Sequence, residues 1–82
     1  MYTVYSKTNC KYCETIERLF DIQEIPYTKL MLNVNFKKEE FIAEFGEGST
    51  FPRVISEEGK LIGGATETVE HLKAKGILWH TK

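Results

Sequence analysis

The sequence predicts an α/β domain with a four-stranded mixed sheet, in the element order βαβαββα, flanked by helices. Stretches rich in β-branched and aromatic residues alternate with stretches of helical periodicity, and the connections are short. The first half has the order βαβ, whose crossover requires a parallel strand pair. The second half contains a hairpin signature, which requires an antiparallel pair. The two kinds of pair together predict a mixed sheet with helices on its faces.

The first half of the chain supplies a strand, a helix and a second strand. Residues 2–6, YTVYS, alternate and are mostly β-branched or aromatic, which is typical of a strand. From Cys10 to Gln23, apolar side chains recur at helical spacing, while charged ones fall mainly on other faces. Pro26 ends this helix, and an extended pattern returns from Tyr27 to Leu32.

A second helix is predicted through residues 36–45, FKKEEFIAEF. Asn33 and Asn35 are its predicted caps, and Gly46 is its predicted end. The residues predicted for its buried side are Phe41, Ile42 and Phe45.

A hairpin and a last helix complete the domain. The segments FPRVIS, residues 51–56, and KLIGG, residues 60–64, flank a turn that contains Gly59. A helix from Thr66 to Lys75 follows. The residues predicted for its buried side are Val69 and Leu72.

Composition is that of an ordinary soluble domain. The 82 residues predict a single domain over 1–82, and a net charge of −1 gives no reason to expect nucleic acid or an anionic membrane as partner. No apolar run approaches the roughly 18 residues of a membrane span, and the N-terminus lacks the pattern of a signal peptide. We therefore expect a location in the cytoplasm. We also expect a monomer.

Both cysteines of the chain, Cys10 and Cys13, lie in the segment CKYC. Cytosolic disulfides tend to be transient and catalytic, and a bridge across so short a loop adds little stability. A CxxC that follows a strand and opens a helix is typical of thiol–disulfide exchange. Unpaired N–H groups at the helix start favour a thiolate at Cys10, and Lys7 and Lys11 add positive potential. We predict that Cys10 attacks the substrate disulfide and that Cys13 resolves the product.

Two structural interpretations of the cysteine pair compete with the redox one. A zinc site would need two more ligands, but His71 and His80 have eight residues between them, against three to five in a zinc finger. The other interpretation is a buried, inert pair, which the position of the motif between a strand and a helix disfavours. We predict no metal site, and no function for the two histidines or for Trp79.

Three motifs resemble those of the glutaredoxin family. They are CKYC, TFP at Thr50–Pro52 and GG at Gly63 and Gly64, in the same order and spacing over nearly the whole chain. The resemblance implies a thioredoxin-like fold and a thiol–disulfide oxidoreductase that reduces protein disulfides and glutathione mixed disulfides. It implies glutathione as electron-donating co-substrate, with no tightly bound cofactor.

The resemblance also implies a glutathione groove. A cis peptide bond at Pro52 would turn the backbone of Phe51 toward the cysteinyl part of glutathione. The N–H groups of Ala65 and Thr66 would hold the γ-glutamyl carboxylate, and Gly64 would let the backbone approach it. The full implied set, with Lys7 and Tyr12 at the glycyl end, is Lys7, Tyr12, Phe51, Pro52, Gly64, Ala65 and Thr66.

These assignments have structural alternatives. The two lysines near Cys10 are also compatible with plain solvated charges, and Pro52 with a trans proline on an edge strand. The glycine pair is compatible with a strand end, and Thr66 with a helix N-cap.

The chain departs from the family pattern at several positions. Lys11 stands at the usual proline and Phe51 at the usual valine. Glu44 stands where many glutaredoxins carry an Arg or Gln for the glycyl carboxylate, and Glu67 belongs to an ATE segment that replaces an acidic pair. Candidate replacement cations are Arg53, Lys37 and Lys38.

Two other functions remain open from the sequence. Because of Glu44, one is a glutaredoxin-like donor that takes electrons from thioredoxin reductase. Similarity to short bacterial and phage glutaredoxins suggests ribonucleotide reductase as a protein substrate. This substrate fits both the glutathione-dependent function and the one that depends on thioredoxin reductase. The other is a non-catalytic module that binds a partner, or that binds an iron–sulfur cluster between two chains. Cluster-binding glutaredoxins more often carry a CGFS- or CSYC-like motif, so the CKYC motif disfavours this function.

Overall fold

The computed structural model describes residues 1–76, in which four strands and three helices follow the predicted order. Trp79 and His80, and the end of the predicted 1–82 domain, lie outside the described residues. The elements are β1 (Tyr2–Ser6), α1 (Lys11–Ile22), β2 (Tyr27–Met31), α2 (Lys38–Phe45), β3 (Arg53–Ile55), β4 (Leu61–Gly63) and α3 (Ala65–Ala74).

The four strands form one mixed sheet with the order β2-β1-β3-β4. β1 pairs in parallel with β2 and antiparallel with β3, and β3 pairs antiparallel with β4. The predicted α/β class with a mixed four-stranded sheet is therefore confirmed. In the β1–β3 register Val4 lies opposite Val54, and both side chains are fully buried.

The main core lies between one face of the sheet and helices α1 and α3. Side chains of β1 alternate strictly, so that Tyr2, Val4 and Ser6 are buried while the residues between them are half-buried. His71 on α3 packs edge-on against the ring of Tyr2, with the ring centroids 6.0 Å apart. The buried apolar cluster consists of Tyr2, Val4, Ile16, Phe20, Val54 and Leu72.

The opposite face of the sheet carries a second, aromatic cluster under α2. Tyr5 contacts Phe36, Phe41 and Phe45 with ring centroids 5.1–5.8 Å apart. Phe51, just before β3, stacks on Phe41 at 4.4 Å with only 13° between the ring planes. Offset stacking of this kind adds about 0.5–1.5 kcal/mol beyond the burial of the rings. The segment before β3 is therefore tied to α2 through side chains.

The start of α2 differs from the sequence prediction, in which Asn33 and Asn35 were caps. The side chain of Asn35 instead accepts the N–H of Met31 at 2.8 Å, which closes a turn after β2. The helix N-cap is Lys37, whose N–H donates to Glu40 at 3.0 Å. A glutamate at the third helical position that reaches back to the cap N–H stabilises a helix start without a polar cap residue.

The junction between β4 and α3 is built around Glu67. Gly64 is the N-cap of α3, and its N–H donates to the Glu67 carboxylate at 3.0 Å. Gly63 has a φ of +130°, and a Cβ built on it would lie 2.9 Å from Cβ and Cγ of Glu67. The capping alternative for Thr66 is therefore wrong, because α3 begins at Ala65.

Three polar residues, Ser6, Ser56 and Thr68, are buried and were not predicted to be. Thr68 is fully buried and donates to the carbonyl of Gly64 at 2.8 Å. Ser6 is fully buried and donates to Glu17 at 2.6 Å, while Glu17 also forms an ion pair with Lys29 at 3.2 Å. These contacts satisfy polar groups that would otherwise be costly to bury. The Glu17 contacts join β1, α1 and β2 near the end of β1 that leads to the cysteines.

None of the helices in residues 1–76 is both long enough and apolar enough to span a membrane.

Replacement of Phe20 by alanine should lower the free energy of unfolding by about 3–5 kcal/mol, because it leaves a cavity in the main core. Ile22 on the same helix is the matched control, since it is 67% exposed, and its alanine variant should lose no more than about 0.5 kcal/mol. Urea unfolding measures both. Similar losses in the two variants would contradict the described core.

Replacement of Gly63 by alanine should destabilise the chain by about 1–3 kcal/mol more than replacement of Gly59. Both glycines have positive φ, so both variants carry the backbone cost of a side chain in that region. Only at Gly63 does the added Cβ meet Glu67, whereas nothing lies within 4 Å at Gly59. Equal losses in urea unfolding would argue against the close contact with Glu67.

Candidate active site

Cys10 lies where the sequence predicts it, at the N-terminus of the first helix. It is the N-cap of α1, and its Sγ accepts the backbone N–H of Cys13 at 3.2 Å. The two cysteines are joined by a disulfide, with their Cα atoms 5.3 Å apart. Cys13 is 1% exposed and Cys10 is 7% exposed, so Cys10 is the more accessible of the two sulfurs.

The surroundings of Cys10 favour a negative charge on its sulfur once the disulfide is reduced. The N–H of Cys13 points at the sulfur, and the positive end of the α1 dipole lies there as well. Hydrogen bonds to the charged form of a group favour that form. Because Cys13 sits inside the first turn of the helix, only Cys10 receives this stabilisation. The geometry therefore supports different chemical roles for the two thiols.

The segment before β3 brings a peptide backbone to the nucleophile. The Phe51–Pro52 peptide bond is cis, and Pro52 is buried. The carbonyl oxygen of Phe51 lies 3.9 Å from the Sγ of Cys10. A peptide-like ligand bonded to Cys10 would thus run beside the backbone of Phe51.

A cleft of about 240 Å³, here called the α3 cleft, lies on one side of Phe51. It collects all of the residues that the resemblance implied for glutathione except Lys7. Tyr12 is 69% exposed and lies here rather than beside Lys7. The α3 cleft is lined by Tyr12, Thr50, Phe51, Pro52, Gly64, Ala65, Thr66 and Glu67.

A second cleft of about 500 Å³, here called the α2 cleft, lies on the other side of Phe51. Lys7 is found here, and its Nζ lies 5.7 Å from the centroid of the Phe51 ring, within the range of a cation–π contact. The α2 cleft is lined by Lys7, Leu32, Lys38, Phe41, Ile42, Glu47, Gly48, Ser49 and Phe51.

Lys38 and Glu44, whose positions relative to the predicted groove the sequence did not give, lie on different faces of α2. Lys38 lines the α2 cleft with Lys7, while Glu44 lines another cleft of about 220 Å³ together with Tyr5 and Glu40. Glu44, the acidic residue that departs from the family pattern, therefore does not line the cleft that contains Lys7. Arg53 lines neither cleft, and its Nε is buried without a hydrogen-bond partner in residues 1–76.

Lys11 also lies apart from Lys7. It lines a shallow cleft on the outer face of α1 with Glu14, Thr15 and Arg18. The two lysines therefore lie on different surfaces, and Lys11 shares its surface with the acidic residue Glu14.

A cleft of about 690 Å³, larger than the α2 and α3 clefts, lies between β4 and α3 and is not at the cysteines. It contains Ser56, Lys60, His71 and Lys75, among others, and shares Glu67 with the α3 cleft. Across residues 1–76, no cluster of three or more His, Cys, Asp or Glu side chains is placed to hold a metal ion.

Sequence reasoning missed part of the site. Phe41 was predicted only as a core residue, but it also lines the α2 cleft, where its ring stacks on that of Phe51. Helical periodicity offered a signal for Lys38, since residues three and four apart share a face and Lys38 precedes Phe41 and Ile42 by those spacings.

Comparison with known proteins agrees with this geometry. A family model of glutaredoxins matches residues 2–62. The mitochondrial glutaredoxin-2 of Pongo abelii is 32% identical over 68 residues, which cover 79% of this chain and 42% of that protein. The chain thus spans less than half the length of this curated relative.

Solved glutaredoxin structures are similar in fold. A buckwheat glutaredoxin in complex with glutathione has a TM-score of 0.75 at 28% identity, covering 93% of this chain and 71% of that one. Wheat glutaredoxin has a TM-score of 0.76 at 26% identity, with 93% and 72% covered. Glutaredoxin 1 of Francisella tularensis, complexed with cacodylate, has a TM-score of 0.74 at 20% identity, with 93% and 94% covered, and supports the fold alone. With its thioredoxin-like fold, its CxxC pair and a family match over residues 2–62, this chain belongs to the glutaredoxin family.

Proposed function

We propose that this chain is a glutathione-dependent thiol–disulfide oxidoreductase that reduces protein disulfides and glutathione mixed disulfides through Cys10 and Cys13. The observation that carries the proposal is the position of the Cys10 sulfur. It accepts a helix N-terminal N–H and lies 3.9 Å from the carbonyl oxygen of Phe51, a residue that lines both the α2 cleft and the α3 cleft. One atom thus combines thiolate stabilisation with a backbone edge for a peptide-like substrate.

The reaction uses the two cysteines in turn. The Cys10 thiolate attacks one sulfur of the substrate disulfide, and the other sulfur leaves with the electron pair of the broken bond. The Cys13 thiol loses its proton and attacks Cys10, which releases the second substrate sulfur as a thiolate and forms the Cys10–Cys13 disulfide. Two molecules of glutathione then reduce this disulfide through a mixed disulfide at Cys10 and become oxidised glutathione.

The α3 cleft has the features expected for the γ-glutamyl half of glutathione. The cysteinyl backbone would pair with Phe51, and the carboxylate would face the first N–H groups of α3, at Ala65 and Thr66. Glu67 already accepts the N–H of Gly64, so its carboxylate is held beside this position and can meet the γ-glutamyl ammonium. Similarity to the buckwheat protein crystallised with glutathione supports the same placement.

The electron donor is proposed to be glutathione rather than thioredoxin reductase. The alternative rested on Glu44, a negative charge where the glycyl carboxylate was expected. Glu44 lines a different cleft, and the side chains near Phe51 on that side include Lys7 and Lys38. This placement supports glutathione binding despite the unusual residue.

Other parts of the proposal rest on the sequence and the family alone. They are ribonucleotide reductase as one protein substrate, a monomeric state and a location in the cytoplasm. An iron–sulfur or non-catalytic role has no specific observation in its favour.

Replacement of Cys10 by serine should abolish turnover of every disulfide substrate, because no nucleophile remains at the helix start. Replacement of Cys13 by serine should retain turnover of a small glutathione mixed disulfide, since that reaction needs only one thiol. It should lose reduction of a protein disulfide by more than about tenfold, because the mixed disulfide is no longer resolved. Coupled assays with both substrates test these roles, and equal losses in the two variants would contradict them.

The electron donor can be tested with two regenerating systems, each driven by NADPH. Glutathione with glutathione reductase should support rapid turnover of a small mixed disulfide, whereas thioredoxin reductase alone should not. The reverse result would overturn glutathione dependence while leaving the exchange chemistry of Cys10 intact.

A further inference from the structure

The α2 cleft carries exposed apolar surface beside the position proposed for the glycine of glutathione. Its floor is formed by the stacked rings of Phe41 and Phe51 with Leu32 and Ile42 beside them. Leu32, Ile42 and Phe51 are partly exposed, so their apolar surface is accessible from the cleft, whereas Phe41 is buried and supports the ring of Phe51 by stacking on it. The residue of glutathione that points this way is glycine, which has no side chain. Glutathione therefore leaves the floor uncovered.

The rim of the same cleft carries excess positive charge. Lys7 lies over the ring of Phe51, and Lys38 stands at the start of α2 on the other side of the floor. Glu47 is the acidic side chain among the residues that line the cleft. The net positive charge of the rim favours an anionic ligand. The single glycyl carboxylate of glutathione needs only one of the two lysines, which leaves the other for a second carboxylate.

The direction of a bound chain follows from the proposed function, on which this inference rests. With the γ-glutamyl group in the α3 cleft, the chain passes Cys10 at its cysteine and enters the α2 cleft with whatever follows that cysteine. In glutathione this is glycine. In a protein substrate it is the one or two residues after the reactive cysteine.

We infer that the α2 cleft is a subsite for protein substrates, which receives a large apolar side chain and an adjacent carboxylate directly after the target cysteine. The apolar side chain covers the exposed surface of Phe51, Leu32 and Ile42, and the carboxylate pairs with Lys38. The cleft thereby distinguishes acidic, apolar protein segments from basic ones and from glutathione itself.

The test uses the full chain in reduced form and short peptides whose cysteine is a mixed disulfide with thionitrobenzoate. Cys10 attacks the peptide sulfur, and thionitrobenzoate leaves with the electron pair because it is the better leaving group. Its absorbance gives a second-order rate constant for each peptide. The peptides are amidated Gly-Cys-Phe-Asp, Gly-Cys-Ala-Asp and Gly-Cys-Phe-Lys, and the corresponding glutathione mixed disulfide is the reference.

The phenylalanine-aspartate peptide should react about tenfold faster than its alanine counterpart, because the phenyl ring buries apolar area on the floor. It should react about three- to tenfold faster than its lysine counterpart, because the ion pair with Lys38 is partly exposed. Lys38→Glu should reverse the preference between aspartate and lysine. Lys37→Glu, the same charge change at the exposed neighbour outside the cleft, should not alter it.

The outcomes separate this inference from the proposed function. Equal rates for all peptides, or a Lys37→Glu variant that changes the preference as much as Lys38→Glu, would overturn the subsite. Rates for peptides and glutathione no higher than those of free cysteine would instead overturn the exchange activity of Cys10, and the subsite with it. A fast reaction with the glutathione mixed disulfide alone would leave the proposed function standing and reject the subsite.

Discussion

The pairing of the central strand β1 with β3 is the constraint on which the site depends. β1 leads into Cys10 at one end, and β3 begins just after Phe51 and Pro52. Antiparallel pairing brings these ends together, so two residues 41 positions apart in the chain contact each other at the nucleophile. The parallel pairing with β2 holds β1 in the middle of the sheet, where its inner face is fully covered. A change in register between β1 and β3 would separate the sulfur of Cys10 from the backbone of Phe51.

Local sequence rules predicted the features that depend on neighbours along the chain. The CxxC at a strand-to-helix junction, the βαβ order and the hairpin around Gly59 each follow from a few consecutive residues. The start of α2 was placed wrongly because an asparagine can cap a helix or close a turn with equal ease. In this chain Asn35 closes the turn after β2, and the cap function passes to a backbone N–H held by Glu40.

The charges around the nucleophile could not be predicted in the same way. Whether Glu44 or Lys38 approaches Lys7 depends on the rotation of α2 about its axis, and tertiary packing of the aromatic cluster sets that rotation. Phe41 and Phe45 on α2 pack against Tyr5, which directs Lys38 to one cleft and Glu44 to another. Alignment of one position with a family pattern suggested an acidic residue beside Lys7, whereas the packing of three rings places Lys38, and not Glu44, in the cleft that Lys7 lines. Buried polar contacts such as the one between Ser6 and Glu17 were equally inaccessible, since they join elements through space.

The aromatic packing on both sheet faces also limits the alkaline range of the protein. Burial is the main cause that raises the pKa of Tyr2, Tyr5 and Tyr27 above the usual value, with nearby carboxylates adding to it. The folded chain therefore holds these phenolic protons more tightly than the unfolded chain does. Their contribution to stability is complete below about pH 10 and is lost as the pH rises through the folded pKa values. Thiolate chemistry gains from alkali, so the conditions that make the cysteines most reactive are those in which the two tyrosine-containing clusters begin to weaken the fold.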